Sequence, residues 1–221
     1  MAKETLTVID NRTGKSYEIP IRLSKRERIL ILIAALLIIP AIFLPIWTIK
    51  LVAPQYPLGI KMSIYANKLT EYNPETGMTS NTPRMINGLN HYIGMHEIKP
   101  DEFKEFRWLP LAIIAFSILA LLSAILGKWH FATAGWILFI LFGFFMIGDF
   151  YRWLYEYGHN LNPKAAIKID PYMPPLIGWK QLANFKVISL PGSGAILMGF
   201  AAILGPVILW LESRQRRRQL S

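Results

Sequence analysis

The run ILILIAALLIIPAIFLPIWTI, residues Ile29–Ile49, carries no charge along its whole length and decides how the chain is first read. A helix of about 20 apolar residues, rising ~1.5 Å per residue, crosses a ~30 Å hydrocarbon core. Three further apolar runs follow: Leu109–Leu126, Phe131–Trp153 and Gly194–Leu211. Together they predict an all-α transmembrane fold, a four-helix membrane bundle with a small irregular or α/β extracytoplasmic domain. Pro40 and Pro45 fall inside the first run, where a bundle tolerates a kinked helix. Trp47 then marks the outer interface.

Charge gives the orientation. The 221 residues are 53% hydrophobic and 17% charged, with a formal charge of +10. Arg22, Lys25, Arg26 and Arg28 precede the first run, and Arg214, Arg216, Arg217 and Arg218 follow the last. Basic residues at short ends are the positive-inside signal, so they set orientation and call for no nucleic acid as partner. The expected layout is a cytoplasmic segment 1–28 and spans 29–49, 109–126, 131–153 and 194–211. Extracytoplasmic segments occupy 50–108 and 154–190, and a basic cytoplasmic tail occupies 212–221. The first run is too long for a cleaved signal and reads as an uncleaved anchor. With zero cysteines, disulfides, thiolate metal sites and cysteine nucleophiles are excluded.

Shorter patterns refine this layout. Thr5–Asp10 and Ser16–Ile21 alternate around Asn11-Arg-Thr-Gly-Lys15, which predicts a cytoplasmic β-hairpin. Gly59–Ala66 alternates as a strand does, and Glu71–Pro83 is turn-rich. Met85–Glu97 suits a short helix or a compact loop. Asp149, Arg152 and Glu156 share one face if the third span stays helical that far. The segment Leu161–Leu190 holds Asn162-Pro, Asp170-Pro and Met173-Pro-Pro175, which predicts an extended cover.

The candidate chemistry is metal binding. In His91-Tyr-Ile-Gly-Met95-His96, imidazole suits copper, zinc or iron, and the thioether favours Cu(I). His91 and Met95 stack at i, i+4 on a helix, and a loop lets His96 join them. Met85, His159 and Met173 are the completing candidates. Methionine is also a flexible core filler, so packing of a small outer domain stands as the other reading. No zinc-protease, phosphate-loop, nucleophile-elbow or haem-attachment pattern occurs.

Two resemblances follow. TLTVIDNRTGKSYEIPI, residues Thr5–Ile21, resembles the opening hairpin of citrate synthases, with no citrate synthase constellation after it. Ala53-Pro-Gln-Tyr-Pro57, Ile86-Asn-Gly-Leu-Asn-His-Tyr-Ile-Gly-Met95 and Pro174–Phe185 resemble four-span membrane proteins of bacterial nitrous-oxide-reductase gene clusters. That resemblance implies copper supply or maturation at the outer face of the cytoplasmic (inner) membrane. Its implied partners are membrane lipid and a periplasmic cuproenzyme or copper-delivery lipoprotein. A metal-free structural or assembly subunit of a membrane respiratory or oxygenase complex is the competing expectation.

Overall fold

The computed structural model describes residues 5–9, 11–14, 16–20, 22–182 and 184–220. It corrects the all-α, four-helix expectation at the first run. Helix α1 spans Lys25–Ile38, a 3₁₀ turn covers Ile39–Ile42, and Trp47–Ala53 is strand β3. Pro40 has no N–H to give to Leu36, and the residues that follow it are held in a sheet, where β3 has ladder partners on both sides. Fourteen helical residues rise only about 21 Å. Among the described residues three helices are long and apolar enough to cross a membrane: α3 (Glu105–Leu126), α4 (Trp129–His159) and the Ser193–Arg214 part of α5 (Ser193–Leu220).

The chain divides into two units. One comprises Met1–Ile39, Ile113–Phe142 and Leu197–Ser221; the other Pro40–Ala112 and Gly143–Ile196. In the first, β1 (Thr5–Ile9) and β2 (Ser16–Pro20) pair antiparallel, from Thr5 opposite Pro20 to Ile9 opposite Ser16. Helix α1 opens with a capping box: Ser24 N–H donates to Glu27 Oε2 at 2.7 Å, and Glu27 N–H to Ser24 Oγ at 3.4 Å. Its buried residues Glu27, Ile31, Ala35 and Ile38 recur on one helical face.

The ends of the helices in this unit are closed by neighbours. Arg28 Nε donates to Ala124 O at 2.5 Å and Nη2 to Ile125 O at 2.8 Å. These carbonyls lie in the last turn of α3, where they lack intrahelical donors and where the helix dipole favours a cation. Leu23 N–H donates to Gly127 O at 2.7 Å, and Arg22 bridges to Lys128. The chain entering α1 therefore lies beside the α3–α4 turn. Farther along, Pro206 inside α5 denies Ala202 O its helical donor. Trp136 Nε1–H from α4 donates to that carbonyl at 2.8 Å. Gly205 makes the approach feasible, since a Cβ there would lie 2.1 Å from Trp136 Nε1.

The second unit is built on a six-stranded antiparallel sheet, where an irregular or α/β domain was expected. Its strands are β3, β4 (Tyr56–Ile64), β5 (Leu69–Asn73), β6 (Met78–Ser80), β7 (Gly178–Leu182) and β8 (Phe185–Pro191). The spatial order is β6-β5-β4-β3-β8-β7. Side chains alternate between its faces. One face carries Ile49, Leu51, Ala53, Ile60, Met62 and Phe185. Helix α2 (Arg84–Ile93) packs Ile86, Leu89 and Ile93 against them in the core of this unit. Glu71, on β5 and fully buried, accepts from Met85 N–H at 3.2 Å and Ile86 N–H at 2.8 Å. The capping residue Pro83 has no side chain able to satisfy those orphan donors, so the neighbouring strand does it.

Candidate functional site

The stretch INGLNHYIGM folds as α2 and the turn that ends it, and most of its residues have local structural work. Asn87 Nδ2 donates to Ile98 O at 3.0 Å while its Oδ1 accepts from Ile98 N–H at 2.8 Å. Asn90 Nδ2 reaches His96 O at 3.5 Å, and Met95 N–H bonds Asn90 O at 2.9 Å. Gly94 ends the helix at φ +78°, in the left-handed region open to glycine. Two asparagines and a glycine thus fold the chain back beneath the end of α2.

The proline-rich segment closes over this end. Asn162 N–H donates to Gly94 O at 2.7 Å, and Ile167 N–H to Tyr92 O at 2.8 Å. Tyr172 N–H reaches Gly158 O at 3.0 Å, and its hydroxyl donates to Met95 Sδ at 2.7 Å. A Cβ at Gly158 would fall 1.9 Å from Tyr172 O, so this position needs glycine. Burial holds the Tyr172 hydroxyl well above the ordinary tyrosine range and keeps it a neutral donor. The end of α2 and the proline-rich segment therefore meet at Met95.

The six candidate metal ligands can now be placed. Met85 is half-buried against the sheet core, and its Sδ accepts from Asn73 Nδ2 at 3.3 Å. Met95 packs on the same core beneath Tyr172. His159, in the last turn of α4, stacks on Tyr155 at 3.8 Å and places Nδ1 2.9 Å from Tyr155 O. Met173 is half-buried, with its carbonyl 3.2 Å from Lys180 Nζ. His91 and His96 are exposed, on either side of the Gly94 turn. Both thioethers of the α2 stretch and the His159 ring thus have other partners. Among the described residues no three histidine, aspartate or glutamate side chains group as metal ligands.

Beside this junction, the acid–base–acid face of α4 forms as its spacing allows. Arg152 Nη2 lies 2.9 Å from Asp149 Oδ1, and Nη1 lies 3.5 Å from Glu156 Oε2. Arg152 also covers the Trp153 ring at 4.9 Å. An exposed ion-paired helix end accounts for these contacts.

The opposite sheet face was not anticipated. One straight row crosses five strands: Tyr72 on β5, Lys61 on β4, Lys50 on β3, Ile188 on β8 and Trp179 on β7. Lys50, Lys61, Tyr72 and Trp179 are exposed, Trp179 at 65%. Lys186 Nζ stands 4.7 Å over the Trp179 ring. Gly59 has φ +78° and lies under Lys50, whose Cε would be 2.6 Å from a Cβ there. The readable signal was alternation in Trp47–Ala53 and Phe185–Pro191. No known protein-family model matches the chain, and none of the curated protein sequences matches it.

Proposed function

We propose that this chain is a membrane-anchored accessory subunit that holds an extracytoplasmic protein partner within a membrane complex, without a metal of its own. The observation that carries this reading is the engagement of Met85 and Met95. Both thioethers pack on the sheet core and accept hydrogen bonds from Asn73 and Tyr172, so α2 and its cover serve as a packed platform. A Cu(I) ligand pair would have to break both bonds and leave two polar donors behind.

The platform belongs on the outer side of a bacterial cytoplasmic membrane, with the α3–α4 turn and the C-terminal end of α5 on the cytoplasmic side. Support comes from the basic residues before α1 and after α5. It also comes from the hydrogen bond that places Leu23 beside the α3–α4 turn.

A second reading keeps one observation of its own. His91 and His96 are both exposed beside Met95, an accessible arrangement that copper transfer to a periplasmic cuproenzyme would use. Purification of the full chain from native membranes, with metal analysis of the product, separates the two. A stoichiometric protein partner with no bound metal is expected. A solitary protein carrying near-stoichiometric copper, lost in the His91→Ala, Met95→Ala, His96→Ala variant, would overturn the subunit reading.

A further inference from the structure

We infer that the open sheet face bearing Lys50, Lys61, Lys186, Tyr72 and Trp179 is the docking surface, and that it receives an acidic patch of a folded protein. The inference rests on the subunit reading above and names the chemistry of its partner.

Charge is the first argument. Lys50 and Lys61 are directly opposed on adjacent strands. Like charges in that position destabilise a sheet, whereas opposite charges stabilise it. Lys186 lies on the same face, two residues from Ile188 in the row. No strand of this six-stranded sheet places a carboxylate there, because the one acidic residue in its strands, Glu71, faces the core under α2. Protection of sheet edges does not explain this pattern. Edge lysines blunt unwanted pairing, yet β3 and β4 are interior strands of the sheet. An acidic partner surface relieves the repulsion and gains from it.

Side-chain placement is the second argument. The backbone of Gly59 lies under Lys50, so the arm of that lysine crosses β4 instead of extending freely. Lys186 is held over Trp179. Both cations are thus partly ordered before any partner arrives, which lowers the entropy cost of docking. Tyrosine and tryptophan are the residue types that anchor protein interfaces.

Spacing selects a protein over a nucleic acid strand. Tyr72 and Trp179 stand four strands apart in one row, about 19 Å at ~4.8 Å per strand. Successive bases stacking on aromatic platforms need much closer rings. A protein interface of ~800 Å² per partner is about 28 Å across and accommodates the whole row.

The test uses full-length protein in native membranes treated with a carbodiimide, which joins a lysine amine to a carboxylate only where they touch. Cross-linked peptides should link Lys50, Lys61 or Lys186 to aspartate or glutamate of the co-purifying partner. The Lys50→Glu, Lys61→Glu, Lys186→Glu variant should retain that partner about tenfold less or worse. A Lys→Gln triple variant should melt no lower than the parent, which shows that the sheet is intact. A partner retained in the charge-reversal variant and linked elsewhere overturns this inference and leaves the subunit reading standing. Absence of any partner overturns the subunit reading. In a parallel arm, nanodisc-held protein is mixed with phosphatidylglycerol–cardiolipin vesicles. Flotation with the vesicles that the reversal abolishes would assign the face to lipid and overturn the protein partner.

Discussion

Pro40 and Pro206 both sit in apolar sequence, yet only one of them ends a helix. After Pro40 the chain leaves α1 through a 3₁₀ turn and becomes β3. Around Pro206, α5 continues unbroken from Ser193 to Leu220. The local chemistry is the same: a missing N–H and a ring that crowds the carbonyl four residues earlier. The surroundings differ. At Pro206 an indole from another helix replaces the lost donor, and Gly205 gives it room. At Pro40 the residues that follow find a better use, pairing with β4 on one side and β8 on the other. Proline acts as a local veto that a correctly placed neighbour lifts.

The sharpest way to break this comparison is Gly205→Leu. A side chain at Gly205 must expel the Trp136 indole and leave Ala202 O without a donor in an apolar setting. We expect a loss of about 3 kcal/mol or more, from overpacking together with an unsatisfied carbonyl. Unfolding of the detergent-solubilised protein, monitored by tryptophan fluorescence, measures it. A loss below ~1 kcal/mol would show that α5 does not depend on the indole.

The same principle operates at the start of α2, where a carboxylate replaces missing acceptors. Glu71→Ala removes both bonds to the first turn of α2 and should cost about 2–3 kcal/mol. Hydrogen exchange should show the amides of Met85 and Ile86 losing protection before the strands do. Unchanged exchange at these two amides would mean that α2 is held by its apolar face alone.

Trp136→Phe is milder than Gly205→Leu, because it keeps the ring and removes only the donor. About 1 kcal/mol is expected. Pro206→Ala restores the backbone donor, so the two substitutions together should cost less than Trp136→Phe alone. Additive losses in that double-mutant cycle would sever the link between the indole and the proline.

At the Met95–Tyr172 contact, the neighbour comes from the proline-rich segment. Tyr172→Phe should cost about 0.5–1 kcal/mol at neutral pH. The sign of the pH effect follows from the raised hydroxyl pKa. The stability it contributes is fully present below ~pH 10, the ordinary tyrosine value, and is lost as pH rises above it. The parent should therefore lose stability above ~pH 10 more steeply than the variant, which keeps the raised hydroxyl of Tyr157, narrowing the gap between them. Melting curves from pH 7 to 11 would show this, and parallel curves would refute it.

These contacts also explain what could be read from the chain alone. The helices α3, α4 and α5 were legible because a run of apolar residues needs no partner to be recognised. Of the six-stranded sheet only β4 was, through the alternation of Gly59–Ala66, and the rest was not, for three particular reasons. Strand β3 continues an apolar run without a break in composition. Strands β5 and β6 flank Asn73-Pro74 and Gly77, which read as loop. In β8, the inward position of Ser189 interrupts the apolar alternation. Its hydroxyl is occupied there by Trp47 Nε1–H at 2.8 Å and Leu176 O at 2.9 Å. At the candidate site, the i, i+4 relation of His91 and Met95 was visible. Tyr172, the partner that occupies Met95, lies 77 residues away in sequence and was not.

The smallest expected effect is the most informative about Pro40. If the proline alone ended α1, Pro40→Ala would let the helix run on into the residues that form β3. If the sheet decides, the substitution changes little, because Trp47–Ala53 has ladder partners on both sides. Extending α1 through this segment would break both ladders and move Ile49, Leu51 and Ala53 away from the core they share with α2. Against that loss the helix gains at most a few backbone hydrogen bonds, each worth about 1 kcal/mol net. The expected outcome is therefore a change in stability of less than ~0.5 kcal/mol, with slow amide exchange retained from Trp47 to Ala53. Loss of that protection, with a matching rise in helical circular dichroism, would make the proline the cause. The contrast with Pro206 would then reduce to helix chemistry alone.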